Sequence, residues 1–182
     1  MNSKSTGRRL AQVKRELDAA RQVSEVLFNY FDPDDVIKHS LLTALEVVDA
    51  ESGSILIAEP EAKELVFRHS TGKHPVRSGT AFPWDKGIAG TVFHSCEPVV
   101  IGNVKEDKRH FPDIDIQTDH VTRDMVAVPL KRSGGKPVGV LEVVNKRRGH
   151  FDEDDLSLLM VVSAISASSL ERARLYDEAK LA

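Results

Sequence analysis

Two apolar segments joined by a four-residue turn constrain the fold of this chain more than any other feature of its sequence. Residues 125–131 read MVAVPLK and residues 136–146 read KPVGVLEVVNK, with only RSGG between them. Both segments are rich in valine, which favours β-strands, and a Gly-Gly pair is typical of a turn. Strands joined by so short a connection pair antiparallel, because a parallel pair needs a crossover of about a dozen residues or more.

Earlier segments of the chain have the same character. Residues 52–58 (SGSILIA) and 64–70 (ELVFRHS) are separated by EPEAK, and residues 98–104 (PVVIGNV) predict one more strand. Residues 71–80 predict a loop, and the glycine-bounded, apolar stretch at 85–98 predicts a short helix. The middle of the chain therefore predicts an antiparallel sheet interrupted by one short helix.

Helical spacing dominates both ends of the chain. Intervals of three and four separate the residues of one seam, a pattern typical of heptad positions that face a partner helix. The seam consists of Leu10, Val13, Leu17, Ala20, Ser24, Leu27 and Phe31. Asp32 and Pro33 predict the cap and first residue of a second helix, which ends near Ala50. A last helix is predicted from about Glu153 to the end, so the element order indicates an α+β domain with its helices mainly on one face of the sheet.

Composition argues against several classes of protein. The net charge is −3, with no basic excess typical of nucleic-acid binding. Cys96 is the only cysteine, and the seven histidines do not have the spacing of metal ligands, so we predict no disulfide and no metal site. The polar N-terminus and the lack of a run approaching about 18 apolar residues predict a cytoplasmic chain without a membrane span. We find no phosphate-binding loop and no catalytic triad spacing, so we predict no catalytic residue.

The segment NKRRGHFDEDD, residues 145–155, has a local explanation. Asp152 is a good N-cap for the last helix, and Asp155 follows at the position from which a carboxylate bonds back to the cap. Phe151 and Leu156 flank this cap as a hydrophobic staple does. The segment therefore predicts a turn followed by a capped helix start.

Three stretches in this order and spacing, residues 86–104, 125–146 and 151–179, resemble the GAF domain family of sensory modules. The Gly-Ile-Ala-Gly helix start, the Val-Pro-Leu strand and the Gly-Val-Leu strand leading to Asn-Lys carry the resemblance. It covers roughly residues 32–177 and implies a six-stranded antiparallel sheet. It further implies that residues 1–31 form a dimerisation helix, and that residues 152–182 form a helix leading to an output domain (a kinase, a cyclase or a transcription regulator) or to a free end. A homodimer through these flanking helices is the partner that the resemblance implies.

The resemblance also supplies candidate ligand contacts, since GAF domains bind small molecules between the sheet and the short helix. Positions that lie near ligand in cyclic-nucleotide-binding members correspond here to Ser54, Ile88, Ala89, Thr122 and Glu142. The short helix begins between Gly87 and Gly90, where free amides suit an anion or where the glycines only permit tight packing. Ser70 and Thr71 stand where those members carry an aromatic-Asp pair, which argues against purine stacking.

The opening motif of the last helix is similar to one found in GAF domains of cyclic-nucleotide phosphodiesterases. Asn145, Lys146, Phe151 and Asp155 match it, and Leu156 replaces its final Glu. In the family the Lys and Asp pair and hold the fold, so we expect a Lys146–Asp155 ion pair, worth about 0–1 kcal/mol if it is exposed.

Alternatives to a simple sensory module remain open. His120 is the best candidate for a haem ligand, and a single cysteine argues against the reductases that share this fold. Ser54 and Glu142 are also explained as outward-facing strand residues. We predict a non-enzymatic regulatory domain that binds an unidentified small ligand and transmits through its flanking helices. The alternative is a dimerisation scaffold without a ligand, in a chain that is free-standing or a piece of a longer regulator.

Overall fold

The computed structural model describes residues 3–109, 121–132 and 134–182 of the chain. The helices are α1 (Ser3–Phe28), α2 (Pro33–Val48), α3 (Gly87–Ser95) and α4 (Glu153–Leu181). The strands are β1 (Ala50–Glu59), β2 (Glu64–Thr71), β3 (Ala81–Pro83), β4 (Val99–Ile101), β5 (Met125–Leu130) and β6 (Gly139–Lys146). A 3₁₀ turn at Val104–Glu106 follows β4.

The six strands form one antiparallel sheet in the order β3-β2-β1-β6-β5-β4. The two predicted hairpins, β1–β2 and β5–β6, are both present, and the sheet joins them through the pairing of β1 with β6. Pairing of the first strand with the last makes the centre of the sheet depend on contacts between distant parts of the chain. The predicted antiparallel, six-stranded α+β fold is confirmed.

The differences lie mainly at the two edges of the sheet, although the central strand β6 also begins at Gly139 and not at residue 136 as predicted. The edge strand β3 was not expected from the sequence, and its three residues are too few to show an alternating pattern. The other edge strand, β4, and the helix α3 are both shorter than predicted, since β4 covers only Val99–Ile101 and α3 ends at Ser95. Short edge strands limit the unpaired backbone that a sheet exposes.

The two faces of the sheet support separate hydrophobic clusters. α1, α2 and α4 cover one face, which we call the helix face, and α3 with its neighbouring segments covers the other, which we call the α3 face. The sheet contributes to the helix-face cluster Ala50, Ile55, Ile57, Val126, Val128, Leu130, Leu141 and Val143. It contributes to the α3-face cluster Leu56, Leu65, Phe67, Phe82, Ile101, Met125, Ala127, Val140 and Val144. Strand alternation thus gives each face its own core.

Part of the predicted seam on α1 is wrong, because the domain itself buries one of the seam residues. Leu27 is fully buried in its own domain, packed with Ala19 and Val23, and so does not face a partner helix. Leu10 and Leu17 instead leave 67% and 65% of their surfaces exposed. Two apolar stripes with the same spacing run along α1, and the domain covers only one of them.

The long helix α4 starts at the predicted cap and is partly buried. Asp152 accepts from the Asp155 amide at 2.9 Å, and Asp155 accepts from the Asp152 amide at 3.1 Å, which is the predicted reciprocal cap. By length and composition alone α4 is able to cross a membrane, with a hydropathy of 1.3 in its most apolar window. In the fold, 44% of that window is buried, and the helix packs on α1, α2 and β5. Asp32 caps α2 as predicted, accepting from the amides of Asp34 and Asp35.

Candidate functional site

A row of polar side chains crosses the α3 face. Ser70 of β2, Ser54 of β1 and Glu142 of β6 occupy paired positions on three adjacent strands, and Ala127 of β5 continues the row. Paired residues of an antiparallel ladder point to the same face, so the row shares the face of Leu56 and the other α3-face residues. Ser54 and Glu142 therefore lie on the inner, α3-covered face, and the alternative that they point outward is wrong. Ser54 is buried and Glu142 is half-buried.

The hydroxyl of Ser70 positions the loop that follows β2. Ser54 Oγ donates to Ser70 Oγ at 3.0 Å, and the amide of Val76 donates to Ser70 Oγ at the same distance. Gly72 has a φ of +128° and packs against Ser52, where a Cβ would lie 2.5 Å from the Ser52 Cβ. The loop is thus held over the end of the β1–β2 hairpin, beside the polar row.

Thr71, predicted together with Ser70, does not join the row. It pairs with Gly53, one position further along the ladder, so alternation places its side chain towards the helix face. The pair of positions predicted from the resemblance is therefore divided between the two faces, and only Ser70 borders the α3 face.

The start of α3 lies over the α3 face and is not capped by a side chain. Ile88 and Ala89 are buried in the α3-face cluster, and Lys86 at the cap position makes no side-chain cap. Gly87 has a φ of +71°, which glycine adopts without strain. A Cβ at Gly90 would lie 2.6 Å from the carbonyl oxygen of Trp84. Gly90 thus permits close packing of α3 on the preceding turn, whereas the uncapped amides remain a candidate anion site.

Asn145 organises the segment that carries Thr122. Its side chain accepts from the Arg123 amide at 2.8 Å and donates to the Val121 carbonyl at 3.0 Å. Asn145 has a φ of +60°, a conformation that Asn adopts more readily than most residues. These bonds fix residues 121–124 against the end of β6 and bury Thr122. Asn145 therefore has a structural role at the edge of the site.

The predicted Lys146–Asp155 ion pair is present and is buried rather than exposed. Lys146 Nζ lies 2.7 Å from Asp155 Oδ1, donates to the Val48 carbonyl at 3.1 Å and lies 5.7 Å from the centroid of the Phe151 ring. The Asp155 side chain is only 2% exposed. The pair joins the end of β6 to the ends of α2 and α4. Because removal of one partner would leave a buried charge, this pair matters more for stability than an exposed one.

His69 of β2 and His39 of α2 lie on elements that pack against each other on the helix face. His69 precedes Ser70 and pairs with Ile55, whose side chain belongs to the helix-face core. Burial, followed by the nearby charges of Lys38 and His39, lowers the pKa of His69 from its ordinary value. The histidines are scattered in the sequence, and only the packing of α2 on β2 brings together the elements that carry these two.

The other candidate residues do not form a second centre. Within residues 3–109, 121–132 and 134–182, no three side chains among His, Cys, Asp and Glu come together as metal ligands do. His120, the candidate haem ligand, lies outside the described residues. Cys96 is half-exposed at the left-handed C-terminal end of α3, with a φ of 58°.

Comparison with known proteins agrees with this geometry. A sequence model of the GAF domain family matches residues 32–171, and the chain belongs to that family. A probable 3′,5′-cyclic phosphodiesterase of Caenorhabditis elegans is 27% identical over 176 residues, which is 89% of this chain and 23% of that protein. The chain thus spans about a quarter of the length of that relative. GAF domains of this kind are regulatory parts of larger signalling proteins.

Solved structures share the fold at low sequence identity. The GAF domain of a phosphoenolpyruvate-protein phosphotransferase from Coxiella burnetii has a TM-score of 0.77 at 16% identity, covering 91% of this chain and 98% of that one. A free methionine-R-sulfoxide reductase from Neisseria meningitidis, solved with its substrate, has a TM-score of 0.72 at 21% identity, covering 88% and 91% of the two chains. The fold is therefore used by regulatory domains and by at least one enzyme.

Proposed function

We propose that this GAF domain is a non-enzymatic regulatory module that binds a small polar ligand on the α3 face. The row formed by Ser70, Ser54 and Glu142 carries this proposal, because it brings polar side chains together on a mostly apolar surface. Small-molecule sites are mostly apolar, with a few polar groups that orient the ligand. Of the three, the half-buried carboxylate of Glu142 argues most for a ligand, since a charged group is costly to desolvate, whereas Ser54 and Ser70 already hydrogen-bond each other.

The groups around the row suggest the chemistry of the ligand. A carboxylate at Glu142 suits an ammonium or another hydrogen-bond donor, and the uncapped amides at the start of α3 suit an anionic group. A small molecule that carries both, such as an amino acid, fits these groups. The names of phosphodiesterase relatives make cyclic nucleotides the second class to examine, although no aromatic side chain occupies the Ser70 position.

Thermal unfolding with a panel of amino acids, cyclic nucleotides and haem tests the proposal. A ligand at 100 times its dissociation constant should add about 2.7 kcal/mol to the free energy of unfolding. For a chain of this size that corresponds to a rise in Tm of roughly 5–10 °C. Glu142→Gln should abolish the rise, and Glu61→Gln in the exposed β1–β2 turn should preserve it. A flat response across the panel would favour the scaffold.

We further propose that a second copy of the chain covers the exposed stripe of α1. The residues 1–31 would then serve as the dimerisation helix, and residues 32–177 as the regulatory domain. α1 and α4 run side by side in the same direction, since Gln12 donates to the Asp154 carbonyl and Arg172 donates to the Leu27 carbonyl. Large exposed apolar residues occur on both helices, namely Leu10, Val13, Leu17, Phe28, Leu175, Tyr176 and Leu181. The far end of α4 would lead to the output domain.

Light scattering of a surface variant tests the dimer. Leu17→Asp places a charge in the middle of the stripe and should convert the dimer to a monomer at micromolar concentration. Leu42→Asp, at a half-exposed position of α2, is the matched control and should leave the dimer intact. A wild-type monomer, or dimers for both variants, would contradict the proposal.

A further inference from the structure

The end of α1 is held by a side chain from α4. Arg172 Nη2 donates to the carbonyl of Leu27 at 2.8 Å and to that of Tyr30 at 3.1 Å. α1 has no basic residue in its own last turn, so Arg172 supplies the positive charge that the carbonyl end of a helix favours. The guanidinium carbon also lies 5.1 Å from the centroid of the Phe31 ring, which itself contacts Tyr176 at 5.2 Å.

The turn that follows α1 also contacts α2. The ring of Tyr30 stacks on His39 of α2, with centroids 3.9 Å apart and an interplanar angle of 13°. α2, which carries His39, packs against β2, where His69 is adjacent to Ser70 of the polar row. Packed elements therefore connect β2 through α2 to the end of α1 and to α4.

We propose that Tyr30, His39 and Arg172 form a coupling junction, through which the end of β2 at the polar row and the position of α1 on α4 influence each other. Arg172 is a positioning residue in this junction, because it acts on the α1–α2 turn and not on a ligand. The inference rests on the proposed function, because the junction would allow a ligand bound at Ser70 to change the position of α1 on α4. A helix end that is held by two neighbouring helices moves with them, whereas a frayed helix end opens independently of the rest of the protein.

Hydrogen–deuterium exchange of the ligand-free protein tests the junction. Arg172→Ala should speed exchange about tenfold in residues 24–32 and at least about threefold in residues 64–71 of β2. A role confined to capping α1 would change the first segment alone. Arg172→Lys keeps the charge without the planar fork and should give a smaller change in both segments. Arg174→Ala, two positions further along α4, is the control and should change neither.

A double variant tests whether the effect of Arg172 on β2 passes through His39. In a His39→Ala background, Arg172→Ala should still loosen residues 24–32 but should no longer affect residues 64–71. His39→Phe keeps a stacked ring and should restore the effect on β2. An unchanged β2 in Arg172→Ala, or an equal effect in the presence and absence of the His39 ring, would overturn the junction. Because no ligand is used, a failed ligand search and a failed junction are separate outcomes, and Arg172→Gln replaces Arg172→Ala if the latter does not fold.

Discussion

The helix face and the α3 face of the sheet are built in different ways. Three helices of 26, 16 and 29 residues cover the helix face, whereas a helix of nine residues covers part of the α3 face. The helix face is completed by a buried ion pair at its margin, and the α3 face carries a row of polar side chains at its centre. Long helices and a buried ion pair stabilise one face, and the other face carries the polar row on which the proposed ligand site rests.

The largest expected effect concerns the margin of the helix face. Lys146→Ala leaves Asp155 as a buried, unpaired carboxylate and should lower the free energy of unfolding by about 3–5 kcal/mol. The corresponding fall in Tm is roughly 10 °C. Arg148→Ala, which breaks an exposed pair with Asp49, should cost only about 0–1 kcal/mol. Equal, small losses in the two variants would show that burial of the first pair is unimportant.

An intermediate effect is expected where α3 packs on its preceding turn. Gly90→Ala places a Cβ 2.6 Å from the Trp84 carbonyl oxygen and should cost about 1–3 kcal/mol, although alanine is the better helix former. At Gly102 no atom lies within 4 Å of an added Cβ, and Gly102→Ala should change stability by less than about 0.5 kcal/mol. Urea denaturation measures both, and a stabilised Gly90→Ala variant would contradict this packing.

The smallest expected effect is the pH dependence of His69. Because its pKa is lowered in the folded protein, the unfolded chain binds a proton more readily than the folded protein does. Stability is therefore full above the unfolded pKa, 6.5, and is lost as the pH falls through the folded pKa. His69→Gln should flatten this part of the pH profile in urea denaturation, and His150→Gln, at an exposed position, should not. Identical profiles for wild type and His69→Gln would rule out a contribution from this histidine.

Local signals in the sequence predicted much of this structure. The short turns predicted both hairpins, and the spacing of Asp152 and Asp155 predicted the start of α4. The pairing of Lys146 with Asp155 followed from the family resemblance, but its burial did not, because burial depends on how α2 and α4 close around the pair. The placement of Ser54 and Glu142 on the α3 face also depended on strand register, which the sequence left open.

Non-local packing explains what was missed. Two stripes of α1 share the same helical spacing, so periodicity alone did not separate the buried Leu27 from the exposed Leu17. Strand β3 is too short to carry a pattern. His39 and Arg172 are far apart in sequence, and no local motif marks them as members of the proposed junction.

Thermal unfolding of two variants, with and without the panel compound that stabilises the wild type most, tests the division between the faces most directly. Leu159→Ala removes a fully buried helix-face side chain, and it should lose about 2–5 kcal/mol while keeping the ligand-induced rise in Tm. The double variant Ser54→Ala/Glu142→Gln should stay within about 1 kcal/mol of the wild type and lose that rise. A double variant that still responds to the compound would contradict the account.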